Sequence, residues 1–452
     1  MTASDPADLA RLTGALLAAA RAAGATEADA LAVAGASLSV EVRGGVLEQA
    51  ERADGVEIGL RVIVGGRQAC VSASERSDRT IREMAERAVA MAREAPVDDN
   101  VGLADPSQVA RDPDAAALQL DDGAPAPEPQ ALLELALRAE AAALAVDGVS
   151  MAESASASAM RRRMWLAGTN GFSAGYDRSS HGISSVAITG EGLAMERDWA
   201  GESRVWAEDL PSPEDIGRRA GERTVARRGA RKPPTGAFPI LYDERVAGTL
   251  ISHLLSAVNG SAVARGGSWL RGDMGQPVLP PGFDLTENPR QPRYAASRPF
   301  DAEGLPTAAR AIVADGVLQS WTLDLATARK LGLESTGNAM RGTSSPPSPG
   351  ITNVALTAGA ASRDDLIRGM GRGLVVTSML GASINATTGD YSRGAAGFWV
   401  ENGEIAYPVN ECTIAGNLRE MLMRITAADD LPEWRGLRVP SLLVEGMTLA
   451  GS

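Results

Sequence analysis

Paired glycines and an Asp-Gly step punctuate the early part of the chain: Gly44-Gly45, Asp54-Gly55 and Gly65-Gly66 separate runs of strand-forming residues. Such an interval does not continue as helix, because glycine supplies the positive φ of tight hairpins and weakens a helix interior. Residues 37–42, 46–51, 56–64 and 68–74 read as strands, the last three as a meander. A helix precedes them. Ser4 is its expected cap, Pro6 suits its first turn, and Leu9, Leu12, Leu16 and Leu17 recur at helical spacing. A second helix opens at Ser77 or Asp78 and runs to about Ala95, with Ile81, Met84, Ala85, Ala88 and Met91 on one face.

Residues 97–130 are rich in Asp, Pro and Ala and read as an irregular, exposed connection. The earlier order then returns: a helix over 129–146, strands between 150 and 207 with turns at 168–171 and 190–192, and a helix from Ser212-Pro213 with Ile216, Ala220 and Val225 inward. Glu86-Arg87-Ala88-Val89-Ala90 echoes Glu222-Arg223-Thr224-Val225-Ala226. A match that short arises by chance as readily as by duplication in an Ala/Arg-rich chain, so the order of elements carries more weight. Both blocks indicate a sheet with helices on one face, the α+β arrangement.

The basic run 227–232, followed by Pro233-Pro234, is the expected domain boundary. It divides an N-terminal α+β domain, 1–232, from a β-rich C-terminal domain with a few helices, 233–452. The second half opens with a strand at 238–242 and a helix capped by Asp243 that runs to about Val258. Gly- and Pro-rich loops fill 259–301. Strands at 308–313 and 317–323 flank Asp315-Gly316, and 323–331 is helical. A loop at 344–349 and a helix capped by Ser362 follow. Strands are expected at 374–379, 383–387, 397–400 and 404–409, with Asn402-Gly403 as a hairpin, then a helix at 416–425 and a strand at 441–447.

Charge and rare residues narrow the function. Asp plus Glu number 57 against 44 Lys plus Arg, a formal charge of −13. That balance repels phosphate backbones, so no nucleic-acid partner is expected. The run at 227–232 is read as a solvated complement to a helix C-terminus. No apolar run is long enough to span a membrane, and the acidic N-terminus lacks the basic-then-apolar order of a leader, which makes the cytoplasm the expected compartment. Cys70 and Cys412 are the only cysteines, His181 and His253 the only histidines. These scattered residues hold no zinc-ligand spacing, and a triad would have to use one of those two histidines as base. Walker, HExxH and strand-following GxGxxG motifs are all missing from the sequence. The stretch Gly389-Asp390-Tyr391-Ser392-Arg393-Gly394 reads either as a tight loop needing positive φ or as an anion-binding loop.

That stretch belongs to a longer signature. Thr388 through Ile405 reads TGDYSRGAAGFWVENGEI, and Tyr407-Pro408-Val409-Asn410-Glu411 and Thr413-Ile414-Ala415-Gly416-Asn417-Leu418 follow it. With Gly59-Leu60-Arg61-Val62, Thr336-Gly337-Asn338, Arg341 and the segment 242–260, these residues resemble the TldE/PmbA group of the TldD/PmbA family, often labelled modulators of DNA gyrase. The resemblance runs along nearly the whole chain. It implies an N-terminal α+β portion and a β-rich C-terminal domain. In the TldD-type paralogue of that family, a zinc peptidase, an HExxxH helix and a downstream Cys hold the metal. It works as a heterodimer with a TldE-type subunit on unfolded peptides, including leader peptides.

This chain departs from the TldD pattern at each metal position. If His253 takes the first ligand place, Leu254 stands where the general base Glu belongs and Val258 where the second His belongs. The ligand Cys would fall near Gly389–Asp390, whereas Cys412 lies beyond it and reads as a buried small residue. The resemblance therefore implies a chain with no catalytic residue and no metal or other cofactor of its own, and zinc in a TldD-type partner. The expected assembly is a heterodimer with that paralogue, or a homodimer when alone, whose sheet edges need covering. Asn385, Thr388, Gly389, Asp390, Ser392 and Arg393, with strands 382–388 and 395–400, are candidates for lining a peptide chamber; the alternative is that they only build the core sheet. Two other functions stay open: an independent non-metal hydrolase using Asp390, Ser392 and Arg393, for which no local base is evident, and a regulatory binding protein in a gyrase-linked toxin/antitoxin system.

Overall fold

The computed structural model describes residues 6–451, so the expected cap Ser4 lies outside the described residues. The first half is built from α1 (Pro6–Ala23), β1 (Glu27–Arg43), β2 (Val46–Val64), β3 (Arg67–Ala73) and α2 (Asp78–Glu94), followed by α3 (Pro129–Leu144), β4 (Met151–Gly168), β5 (Ser173–Thr189), β6 (Glu196–Arg204) and α4 (Pro213–Val225). Helix, three antiparallel strands, helix thus occurs twice. The two meanders join through antiparallel β1 and β4 into one six-stranded sheet ordered β3-β2-β1-β4-β5-β6. All four helices cover one face. Leu9, Leu12 and Leu16 of α1 and Ile81, Met84 and Ala88 of α2 pack on Ala28, Ala30, Ile58 and Leu60. Leu132 and Ala136 of α3 and Ile216 and Ala220 of α4 pack on Val40, Val42, Ala155 and Ile183.

Local signals set these elements well. Ser77 and Ser212 cap α2 and α4 through their side chains, and Gly44-Gly45 and Gly65-Gly66 turn with positive φ. The structure corrects several expectations. Asp54-Gly55 is no turn: β2 runs straight through it, paired with Ala36 and Gly35 of β1, because a long partner strand supplies the ladder. Met91 is 48% exposed, and Val89 and Ala92 take the inward positions of α2. In α4 it is Thr224 that is buried, with Val225 at the margin. The segment 97–130 is irregular but not free of the body. Leu103, Ala104, Leu118 and Leu120 are buried, Asp122 binds the His181 ring at 2.7 Å, and Arg329 donates to the carbonyls of Asn100, Gly102 and Leu103. Nor is the basic run 227–232 simply solvated. Arg227 pairs with Glu196 and Asp198, and Arg231 lies 3.7 Å over the Tyr407 ring.

In the second half come β7 (Gly236–Tyr242), α5 (Glu244–Ala257), α6 (Gly260–Ala264), β8 (Leu285–Glu287), β9 (Arg310–Ala314), β10 (Val317–Leu318) and α7 (Leu325–Leu331). These are followed by β11 (Ala339–Met340), β12 (Ser348–Pro349), β13 (Val354–Leu356), α8 (Arg363–Met370), β14 (Gly373–Ile384), β15 (Asp390–Glu401), β16 (Glu404–Asn417), α9 (Leu418–Leu422), β17 (Ile425–Ala427), β18 (Leu437–Arg438) and β19 (Leu442–Ala450). The major sheet is ordered β16-β15-β14-β7-β19-β17, and β16 also pairs with β19, so five strands close on one another. That closure covers an edge of the sheet within the chain itself. A smaller sheet, β10-β9-β8-β13-β18, shares its core with the closed strands and α5, through Ile240, Leu250, Leu285, Ile312, Val354, Trp399 and Val444. The fold is α+β with a β-rich second half. Segment 317–323 is strand only at its start, and Gly416 and Asn417 end β16 rather than begin a helix.

Candidate functional site

Helix α5 begins at Asp243, whose carboxylate accepts the Arg245 N–H at 3.2 Å and the Arg363 Nε–H at 3.0 Å. Its apolar positions, Val246, Ala247, Leu250, Ile251, Leu254 and Leu255, are buried. Leu254 and Val258 are both wholly inaccessible and belong to the main core. His253 lies at the margin of the core. Its ring meets Tyr391 edge-on, centroids 5.8 Å apart, and its Nε2 is buried with no hydrogen-bond partner among the described residues. The Tyr242 hydroxyl lies 3.3 Å from that of Tyr391 and 3.6 Å from the Met447 sulfur, while Tyr391 reaches the Met379 sulfur at 3.6 Å. Burial raises the pKa of Tyr242 well above its ordinary value and that of Tyr391 above it; burial and the Arg393 charge lower that of His253. This donor set does not fit zinc. One imidazole, two neutral phenols, two thioethers and a protonated guanidinium supply no second imidazole, thiolate or carboxylate at the helix. Among the described residues no group of three or more His, Cys, Asp or Glu is arranged to hold a metal ion.

The candidate chamber residues divide between the two faces of β15. The turn is Asn385–Gly389, and Asp390 already begins β15. The stretch 389–394 is therefore paired strand from Asp390 onward rather than a loop, against Asn417, Gly416, Ala415, Ile414 and Thr413 of β16. The expected strand at 383–387 ends at Ile384. Asn385 Oδ1 accepts the N–H groups of Thr387 and Thr388, Gly389 donates to the Asn385 carbonyl at 2.8 Å, and Gly389 adopts φ +81°. Thr388 and Asn417 donate to the Asp390 carboxylate, which holds its pKa below the usual range.

Alternation places Asp390 and Ser392 on one face and Tyr391 and Arg393 on the other. Ser392 is thus separated from His253, which packs on the Tyr391 face, and the remaining histidine, His181 of β5, binds Asp122. Among the described residues no base stands at hydrogen-bond distance from Ser392. Arg393 faces a bulge in β14, where Leu380 pairs with Gly394 and Ser383 with Ser392, and its Nε donates to the Gly381 carbonyl at 2.8 Å. Cys412 is buried in β16, its thiol pushed up to about 11 by burial. A surface cleft of about 360 Å³ lies elsewhere, where residues 106–113 cross the turn between β4 and β5.

A second polar cluster joins the two halves. Asp29 of β1 is buried between Arg61 of β2 and Arg341, which follows β11. Burial raises its pKa, but the charges of Arg341 and Arg61 outweigh that and leave the carboxyl below its ordinary value. Arg61 and Arg341 lie in two of the quoted motifs; their shared partner Asp29 lies in neither, so only the fold brings it in. Close by, Asp301 accepts backbone N–H groups of Glu303, Leu305 and Ala339, whereas Glu303 accepts one, from Leu325. Burial and the Asp301 charge push Glu303 up to about 8.

Comparison with known proteins places this arrangement. Residues 235–451 match the PmbA/TldA metallopeptidase C-terminal domain, 122–228 the central domain and 28–92 domain 1 of the same family. The metalloprotease PmbA of Escherichia coli O157:H7 is 36% identical over 417 residues, 92% of this chain and 90% of that protein. The PmbA homologue of Haemophilus influenzae is 36% identical over 92% of this chain and 90% of its own length. A crystal structure from Bacteroides thetaiotaomicron that bears the name modulator of DNA gyrase superposes with a TM-score of 0.90 at 26% identity, covering 98% of each chain. TldE from Thermococcus kodakarensis shares the fold, with a TM-score of 0.85 at 20% identity over 97% of this chain and all of that one.

Proposed function

Because the chain belongs to the PmbA/TldD metallopeptidase family, we propose that it is the non-catalytic, TldE-type subunit of a cytoplasmic peptidase complex. The observation that carries this reading is helix α5, where Leu254 and Val258 are sealed in the core and His253 leans on a tyrosine rather than on a second ligand. Leu254 and Val258 offer neither a metal ligand nor a general base, which supports this reading. Zinc, activated water and base then belong to a TldD-type partner. This chain closes the chamber and holds an extended, unfolded peptide beside β15 along the part of β14 beyond Val376, where pairing with β7 stops, through backbone pairing that is largely indifferent to sequence. Among the described residues no helix is long and apolar enough to cross a membrane.

Co-expression with the cognate TldD-type protein tests this reading. A complex should elute by size exclusion and cleave a denatured peptide in a chelator-sensitive way, while the isolated chain should not cleave. Cleavage by the isolated chain in excess chelator would instead support an independent hydrolase. Absence of any complex, together with gyrase capture by this chain alone, would support the regulatory reading.

A further inference from the structure

Arg393 is an exception in an acidic protein. Of the 57 Asp and Glu residues, several are committed to half-buried or buried arginines: Asp29 to Arg61 and Arg341, Asp177 to Arg163, Glu202 to Arg204, Glu287 to Arg310. Arg393 is half-buried too, yet it has no carboxylate partner among the described residues. Its Nε is spent on the Gly381 carbonyl, which fixes the plane of the guanidinium and leaves both terminal nitrogens without a partner among the described residues. The nearest carboxylate on its own strand, Asp390, lies on the opposite face and is held by Thr388 and Asn417. Around Arg393 stand a bulge of β14, Ile414 of β16, and, on its own face, Tyr391 with His253 beneath. A guanidinium oriented by one bond and open at its other two nitrogens matches the geometry of bidentate carboxylate binding.

We infer that Arg393 is a carboxylate-binding site, taking the C-terminal carboxylate of a bound peptide through its two terminal nitrogens. This rests on the reading of the β14–β15 face as peptide-facing. The site would fix one end of a substrate whose middle is held by backbone pairing, giving a complex that acts on unfolded chains a register set by chain end rather than by side chain. His253 is buried at Nε2 and does not touch the ligand. It feels the charge of Arg393, which lowers its pKa, and the other ionisable groups around it are the phenols of Tyr391 and Tyr242. A carboxylate seated on Arg393 cancels that charge, so His253 reports occupancy.

The experiment follows the His253 imidazole by NMR in the isolated full-length chain; a His181→Asn variant assigns the two histidine signals. The probes are acetyl-Ala-Ala-Ala with a free carboxylate, the same peptide as its C-terminal amide, and acetyl-Ala-Glu-Ala amide. The free acid should raise the His253 midpoint by about one pH unit, the size of effect expected when a nearby like charge is neutralised. The simple amide should leave it in place. Arg393→Gln should raise the ligand-free midpoint and abolish the response to the free acid. A response to the Glu peptide equal to that of the free acid would overturn the assignment to a chain end. An unmoved His253, or an equal response in Arg393→Gln, would overturn the carboxylate site altogether. Neither failure touches the subunit reading, which stands or falls on complex formation and chelator-sensitive cleavage. Failure of the complex to form, conversely, leaves this titration interpretable.

Discussion

The backbone of Gly59 in β2 passes so close to Thr343 that a β-carbon at Gly59 would collide with the Thr343 carbonyl. The first sheet and the second half of the chain therefore meet there backbone to backbone, beside the Asp29–Arg61–Arg341 cluster.

Gly59→Ala should force the 341–345 segment away from β2. Overpacking of this kind costs about 1–3 kcal/mol. Urea denaturation should give a lower midpoint with an unchanged slope, and an unchanged midpoint would mean that the contact is loose in solution.

Asp29→Asn should be more damaging, because it strands two buried guanidinium groups. Breaking a buried ion pair from one side costs about 3–5 kcal/mol. The folded pKa of Asp29 lies below its ordinary 3.8, so the stabilisation it brings is complete above about pH 4 and is lost as pH falls through the folded value. The wild type should show a steep acid limb in thermal melts below that pH, and Asp29→Asn a shallower one.

Glu303 has the opposite sign. Its pKa rises from 4.5 in the unfolded chain to about 8 in the folded one, so between those values the folded state binds the extra proton. Stability should fall as pH rises through that window, by at most about 1.4 kcal/mol per unit for one proton, and level off above it. Asp301, which accepts three backbone N–H groups, is the better home for the negative charge of the pair, and Glu303 for the proton. Glu303→Gln should flatten the dependence between pH 5 and 8. An unaltered slope would assign it to other groups.

Within a TldD-type complex, His253→Ala should keep peptide cleavage within a few-fold of wild type, since no reacting group is assigned to that ring. Gly389→Val should impair the complex. A β-branched side chain at φ +81° carries backbone strain of about 1–3 kcal/mol and distorts the Asn385–Gly389 turn and β15 after it. Cleavage rates are compared after circular dichroism and size exclusion confirm fold and assembly. Loss of cleavage in His253→Ala with full activity in Gly389→Val would reverse the placement of function.

What could be read from the residues was local. Ser77, Ser212, Asp243 and Ser362 all cap the helices expected of them, and Asn402-Gly403 turns β15 into β16 with both φ values positive. Asp54-Gly55 carries the same hairpin signal and sits mid-strand, because its pairing with β1 is tertiary and outweighs the turn preference of the dipeptide. Alanine-rich residues 28–34 favour helix by propensity but form β1, where small side chains let α1 and α2 lie close to the sheet. The site was legible as a segment but not as a surface. Tyr391 and Arg393 part from Asp390 and Ser392 only once β14 and β16 fix the pleat. The Asp29–Arg341 pair, 312 residues apart, leaves no local trace at all.

The central pairing of the first sheet relates its two halves as a dimer interface relates two subunits. β1 and β4 run antiparallel with Ser37 opposite Met160, near the middle of each strand, and their helix–meander–helix units lie to either side. A single such unit would leave β1 bare along its length, and a second copy turned by half a revolution would cover it. The first half of this protein therefore has the geometry of a dimer of two such units docked edge to edge, held in one chain by the connection over residues 97–128.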